Sequence, residues 1–443
     1  MKKLLPVGIF ILCILSLSVS GQTRADLMED FDEGQFFFNR GDFEDAVYFF
    51  VKLVEAEPKN ANFNFKLGEA YLNIPGKEHL AIPYFETSLR QVVPKKSYKK
   101  RSFDETAAPL HVYFYLGNAY RMNNQLDKAL ECYAKFIDSP FFWGNYNQNV
   151  VDVEIKSCER AKIIQDAPVD FEKVNLGIAV NTNFSEEKPV ISDDGNTLAF
   201  IRRLKFYDAV FVTRKINGEW QTAINISPQI ISDGNYYPTG LSYDGNEMLL
   251  IRKEDDSYDV YSSTFNGEIW SEARKMNNKI NSIFNEVYAD FGENDQTIYI
   301  TSNRKGGKGG YDVYVSGKDD KGDWKRPKNL GKQINTDFDE KNASYCNDKK
   351  LLFFSSQDHY TMGGYDIFYS RKLGKKWQVP LNIGYPINTT RDNLFYTPVK
   401  ENCREGYFSM SDEDSMGEAD IYLIKITSKS TLNFSSSDTT DMK

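Results

Sequence analysis

Carboxylates at a recurring place are the first candidates for chemistry in this sequence. Glu186, Glu286 and Glu340 each fall five residues after an asparagine, at Asn181, Asn281 and Asn335. A ring of such carboxylates at the mouth of a cyclic repeat would mark a place where a partner binds. The alternative is that each carboxylate caps its own loop, and Tyr237 and Asn393 interrupt the series. A second group, Asp412, Asp414, Glu418 and Asp420 around Gly417, offers the oxygen ligands that calcium takes. The equivalent loops elsewhere read Arg304-Lys305-Gly306-Gly307 and Thr361-Met362-Gly363-Gly364, which favours an ordinary hairpin and no metal. The three histidines, His79, His111 and His359, stand apart, so no nucleophile, base or metal constellation can be drawn from them. Catalysis is not expected, and no cofactor is implied.

A third set of polar residues has helical spacing. Gln35, Asn39, Glu69, Asn73, His111, Asn118 and Arg121 fall where the first helix of each stacked pair would face a concave groove. Asn and Arg there can grip the backbone or terminal carboxylate of an extended peptide. The alternative is that the groove packs against other parts of the chain. Between the second and third helical units runs Lys95-Lys96-Ser97-Tyr98-Lys99-Lys100-Arg101, a basic stretch that reads as a solvated loop.

These residues need a scaffold, and the sequence supplies two. From Leu27 to about Gln165, Gly34, Phe37, Gly41, Ala46, Phe50 and Pro58 follow the 34-residue tetratricopeptide spacing. Leu67, Gly68, Tyr71, Ala81 and Phe85 repeat it, and so do Leu116, Gly117, Tyr120, Ala129 and Tyr133. Small residues at these positions let two helices cross closely, and large ones fill the space beside them. The stretch Val150 to Ile164 would cover the last pair.

Beyond it the period lengthens. A Tyr-Asp step followed by a strand recurs at Asp208, Asp259, Asp312, Asp366 and, in worn form, Asp420, at spacings of 51, 53, 54 and 54 residues. Asn217-Gly218 and Asn266-Gly267 are hairpin turns, each followed by a tryptophan, Trp220 and Trp270. This period predicts a propeller of five four-stranded blades, with six as the alternative. The last unit lacks a fourth strand, and Phe171 to Ile178 is expected to supply it and close the ring.

The Ser-x-Asp-Gly turn (Ser192 to Gly195, Ser242 to Gly245), the strand Gly363-Gly364-Tyr365-Asp366-Ile367-Phe368 and the tail from Trp377 to Pro380 resemble the WD40-like repeat of TolB-type propellers. Tetratricopeptide repeats followed by such a propeller resemble exported proteins of Bacteroidota, including the peptidoglycan-binding component of type IX secretion. That resemblance implies a scaffold whose partners are envelope or outer-membrane proteins, including those of a type IX secretion or gliding apparatus. Many of those relatives continue into an OmpA-like domain. Here only the Ser/Thr/Asp-rich segment 427–443 follows Ile426, so contact with peptidoglycan is expected to be indirect at most. The competing expectation is a propeller that binds carbohydrate or peptidoglycan fragments.

Composition and compartment fit the scaffold. Lys2, Lys3, the apolar run Leu4 to Leu17 and the small residues Ser18 to Gly21 read as a cleaved leader. Losing its two lysines takes the net charge from -9 to -11, which argues against nucleic acid as partner. No later segment is expected to span a membrane, which implies a periplasmic protein with any outer-membrane association made through partners. Of the remaining cysteines, Cys132 and Cys158 either pair or sit as isolated buried thiols. The expected layout is a leader (1–21), a helical repeat domain (22–168), an all-β propeller (169–426) and a polar, disordered tail (427–443).

Overall fold

The computed structural model describes residues 23–254, 257–411, 414–428 and 432. The leader, Asp412 and most of the tail lie outside the described residues. The chain divides into two compact units, one of residues 1–120 with 131–147 and the other of residues 121–130 with 148–443.

The first unit contains the early helices. These are α1 (Arg24–Arg40), α2 (Phe43–Ala56), α3 (Ala61–Leu72) and α4 (Ala81–Ser88), with most of α5 (Val112–Met122) and the second half of α6 (Leu126–Ile137). Thr23 caps α1 reciprocally with Asp26, and Gly41 ends it in the left-handed region at φ 86°. Asn60 caps α3 by accepting from the amides of Asn62 and Phe63. The repeat spacing has a direct steric cause. Cβ atoms at Gly34, Gly68 and Gly117 would fall within 3.0 Å of the rings of Phe50, Phe85 and Tyr133. Only glycine lets each helix pair close to that distance, so the same positions recur three times.

The second unit is an all-β propeller of five blades, joined by residues 121–130 and by α7 (Gln148–Gln165). In each blade the strands pair antiparallel in sequence order from the innermost outward. The innermost strands are Ser185–Ile191, Tyr236–Leu241, Glu286–Gly292, Glu340–Cys346 and Thr397–Val399. Phe171–Asn175 pairs with Asp420–Ile426 as the outer strand of blade 5, so the ring closes through both ends of the domain, as the sequence predicts. Thr427 and Ser428 donate their amides to the Asp170 carbonyl, and Leu432 is buried in the core shared by blades 4 and 5. Ordered contacts therefore continue past Ile426 into the first residues of the segment expected to be disordered.

Side-chain clasps join neighbouring blades. The amide groups of Asn181, Asn281, Asn335 and Asn388 each donate to and accept from one backbone residue on the third strand of the preceding blade: Ile421, Val260, Val313 and Ile367. In the clasp between blades 1 and 2 the hydroxyl of Ser227 accepts from Val210 instead. Each clasp pairs backbone groups that would otherwise be buried without partners, which explains why the asparagine recurs with the period.

Lys400 is fully buried toward the far end of the innermost strands. It pairs with Asp193 at 2.9 Å and Asp290 at 3.3 Å, carboxylates from two other blades. Ser344 donates to Asp290 and Asn347 to Asp193, so the charges sit in a hydrogen-bonded network drawn from four blades. Cys346 and Cys403 form a disulfide between blades 4 and 5, a pair the sequence did not single out. Cys132 and Cys158 are free buried thiols.

Candidate functional site

In the helical unit the groove is filled from within the chain. The segment between α4 and α5, anchored by the two-residue ladder Val92–Val93 with Ala108–Pro109, folds back over α3. The Tyr98 hydroxyl donates to Asn62 at 2.7 Å and its ring meets Phe65 edge-on. Phe103 packs on Phe31 and Phe63, and the Thr106 carbonyl accepts from the amide of Asn62. As a result ten consecutive residues of α3, Ala61 to Ala70, are buried, whereas a helix lining an open groove would leave one face in water. The basic run expected to be merely solvated belongs to this strap. Sequence reasoning missed it, although Tyr98 and Phe103 among the lysines were the available signal.

The seven candidate groove residues divide accordingly. Gln35 donates to the Lys100 carbonyl of the strap at 3.0 Å. Glu69 is buried 3.8 Å from the equally buried Lys66, and burial pushes the carboxyl up and the ammonium down, both toward neutrality. His111 lies against Phe65, Tyr115 and Tyr146. Burial first, then Lys95, Lys66 and Lys100, lowers its pKa to about 4, so the ring is neutral at pH 7. Asn118 accepts from the Tyr133 hydroxyl. Asn39 and Asn73 are exposed. Arg121 belongs to the propeller unit, where it pairs with Glu154 of α7 at 2.9 Å and donates to the carbonyl of Thr390. Its charge therefore fixes α7 against a blade 5 loop and does not face a groove.

The three glutamates of the propeller form loop caps in place of a mouth ring. Glu186, Glu286 and Glu340 have no solvent exposure. Each accepts from the amide and the hydroxyl of the residue four positions earlier: Thr182, Ser282 or Thr336. Asn393 accepts from Thr389 in the same way, so a residue that breaks the acidic series performs the same task. Arg202 and Arg304 add an ion pair to Glu186 and Glu286. Nothing of these carboxylates remains for a partner. Asp420 likewise accepts from the amides of Met416 and Gly417 and from Asn175, which is hairpin geometry. Among the described residues no group of three acidic, His or Cys side chains is placed to hold a metal.

One face of the ring is the one on which the innermost strands begin. Antiparallel pairing puts the loops before the first strand and those between the second and third strands on the same side of each blade. Large apolar side chains project from these loops: Phe184, Phe206, Tyr207, Ile231, Ile283 and Phe338, with Ile283 93% and Phe206 87% exposed. Over blades 4 and 5 this face meets α7, where Ser157 donates to the Gly363 carbonyl and Arg160 lies over Tyr360. A cavity of about 200 Å³ opens between the innermost strands, with Lys188, Tyr237, Tyr288, Asn342 and Phe395 contributed by five different blades or the loops leading into them.

Residues 111–140 match the tetratricopeptide repeat family. That segment carries one tetratricopeptide repeat. No curated protein matches the chain. Among solved structures the chain is similar to TolB from Acinetobacter baumannii, with 14% identity over 55% of each chain and a TM-score of 0.32. It is similar to a putative TolB from Agrobacterium tumefaciens at 14% identity, covering 56% of this chain and 77% of that one, with a TM-score of 0.34. The first TPR of Spaghetti bound to an HSP90 peptide covers 31% of this chain at 17% identity, and 95% of that chain is matched, with a TM-score of 0.24. The chain spans about half the length of the first of these structures.

Proposed function

We propose that this protein is a non-catalytic scaffold of the bacterial periplasm that binds envelope or outer-membrane proteins, and that its propeller face is the main docking surface. The apolar side chains on that face carry the reading. Isolated apolar residues are ordinary on a protein surface, but several large ones in the loops of one face mark an interaction site. Ile231 strengthens the case: a β-branched residue held at φ 58° and 64% exposed is strained, and strain of this kind collects at functional positions. The tetratricopeptide repeats add a second interaction module, although their groove over α3 is closed by the strap, so a partner there would use the exposed end near Asn39 and Asn73 or displace the strap.

The Cys346–Cys403 disulfide supports an oxidising compartment, in keeping with the leader expected at the N-terminus. Among the described residues no helix is long and apolar enough to cross a membrane. Partners in a type IX secretion or gliding apparatus remain part of this proposal through the resemblance of the repeat pattern.

The test is crosslinking of tagged full-length protein in intact envelopes, beside a variant carrying Phe206→Asp and Ile283→Asp. Both residues are exposed, so the variant is expected to fold with an unchanged melting temperature. A defined set of envelope proteins recovered with the wild type and reduced at least tenfold with the variant is the expected result. Equal recovery with both proteins would remove the propeller face from the proposal, and no recovery with either would end the scaffold reading.

A further inference from the structure

At the centre of the same face, the cavity between the innermost strands has the character of a small-ligand site. Of its polar lining side chains, Asn342 and Thr239 bond to backbone carbonyls, and Lys188 and three tyrosine hydroxyls do not. Lys188 makes no hydrogen bond or carboxylate pair, and its ammonium lies 4.2 Å from the centre of the Tyr237 ring and 5.8 Å from that of Phe395. The hydroxyls of Tyr237, Tyr258 and Tyr288 all border the cavity without a hydrogen-bond partner, and Tyr288 is only 4% exposed.

The backbone is arranged to present them. The innermost strands of blades 1 and 4 carry register shifts, between Glu187 and Val190 and between Lys341 and Ser344. Lys188 and Asn342 sit inside these shifts at φ 53° and φ 52°. Bulges re-aim side chains near binding sites, and a left-handed lysine or asparagine is strain retained for a purpose. The Asn342 amide donates to the Leu394 carbonyl, which holds the bulge next to the loop that carries Phe395.

The geometry points to a site for an acidic monosaccharide: the carboxylate on Lys188, ring hydroxyls on the three tyrosine hydroxyls, and the sugar's C–H face against the aromatic walls. A desolvated ammonium favours an anion. Tyrosine hydroxyls both donate and accept, which suits a polyhydroxylated body. The volume suits one ring and no larger ligand, since drug-sized ligands occupy roughly 300 Å³ or more. Glu187 is paired with Arg203; it and Asp208 act on Lys188 through space and favour its charged form without forming an ion pair with it. A bare carboxylate would leave the tyrosine hydroxyls unused, and a neutral sugar would leave the lysine unused.

Titration calorimetry on the full-length protein with glucuronate, glucose and acetate tests this, with Lys188→Met as the variant. Saturable binding of glucuronate is expected, with glucose and acetate at least about tenfold weaker, and K188M is expected to lose at least about tenfold in glucuronate affinity. If K188M fails to fold, Lys188→Gln replaces it, and the three-ligand comparison on the wild type stands by itself. No saturable glucuronate binding, acetate or glucose binding as well as glucuronate, or an affinity indifferent to the loss of Lys188 would each overturn the inference.

Discussion

Glu340 shows how far one buried side chain can shift the pH response of a rigid ring. Burial raises its pKa to about 7, even though Thr336 and Ser356 donate hydrogen bonds that favour the charged form. Glu186 and Glu286 have Arg202 and Arg304 beside them, whereas in blade 4 His359 donates to the Ile334 carbonyl and leaves Glu340 without a cation. Asp366 is raised by burial to about 7 as well, and Asp290 to about 6. For Glu340 the folded-state value lies above the ordinary 4.5, so the folded protein holds the proton more tightly than the unfolded chain. Its contribution is complete below pH 4.5 and is lost as pH rises through about 7. The shift corresponds to a loss on the order of 3 kcal/mol by pH 8. Glu340→Gln should flatten this part of the profile: urea unfolding at pH 5 and pH 8 should show a smaller stability difference in the variant than in the wild type. Equal differences would mean that Glu340 is already ionised at pH 5.

At the scale of elements, the strap over α3 is the feature with the largest consequence. It replaces water on the concave side of the second repeat with Tyr98 and Phe103, and it locks Asn62, whose side chain and backbone both bond to it. Phe103→Ala removes the contact with Phe31 and Phe63 and is expected to cost about 1–3 kcal/mol, because the ring is only partly buried. The loosened strap should also be cut faster by trypsin at Lys99, Lys100 and Arg101, and cleavage at the wild-type rate would show that Phe103 does not hold the strap. The elements themselves were legible from spacing. Gly34, Gly68 and Gly117 announced the helix pairs because their packing leaves no room for a Cβ, and the Tyr-Asp step announced the blades, its aspartate capping the hairpin in blades 3, 4 and 5 through Asp312, Asp366 and Asp420. The strap was missed, since its lysines dominate the local pattern and the signal of its two anchoring rings, Tyr98 and Phe103, has no periodicity. The role of the glutamates was also ambiguous in sequence. A carboxylate five residues after an asparagine has the same spacing whether it faces a channel or turns back to a threonine, and only the loop conformation decides. Lys188 and Asn342 were missed for a related reason, because a bulge changes where a side chain points without changing the residue types around it.

The whole propeller is a closed ring, and its stability depends on how that ring is fastened. Blade 5 is built from both ends of the domain, and its outer strand, Phe171–Asn175, is held by pairing and by the Asn181 clasp on Ile421, all of them non-covalent. The Cys346–Cys403 bridge ties this composite blade to blade 4 across a sequence separation of 57 residues. Cross-linking a loop of that length limits the unfolded chain and is worth about 4 kcal/mol in the chain-entropy treatment. Both sulfurs belong to buried residues, so the bond forms part of the core and a reductant reaches it only when the ring opens. The paired variant Cys346→Ala with Cys403→Ala should therefore keep the five-bladed fold at room temperature and melt on the order of 10 °C lower. Differential scanning calorimetry of both proteins, with and without dithiothreitol, separates the two possible fastenings. If the ring depends on the bridge, the wild type in reductant approaches the variant's melting temperature once it has been heated through its transition. An unchanged melting temperature in the variant would mean that the asparagine clasps and the shared core of blades 4 and 5 are sufficient to keep the ring closed.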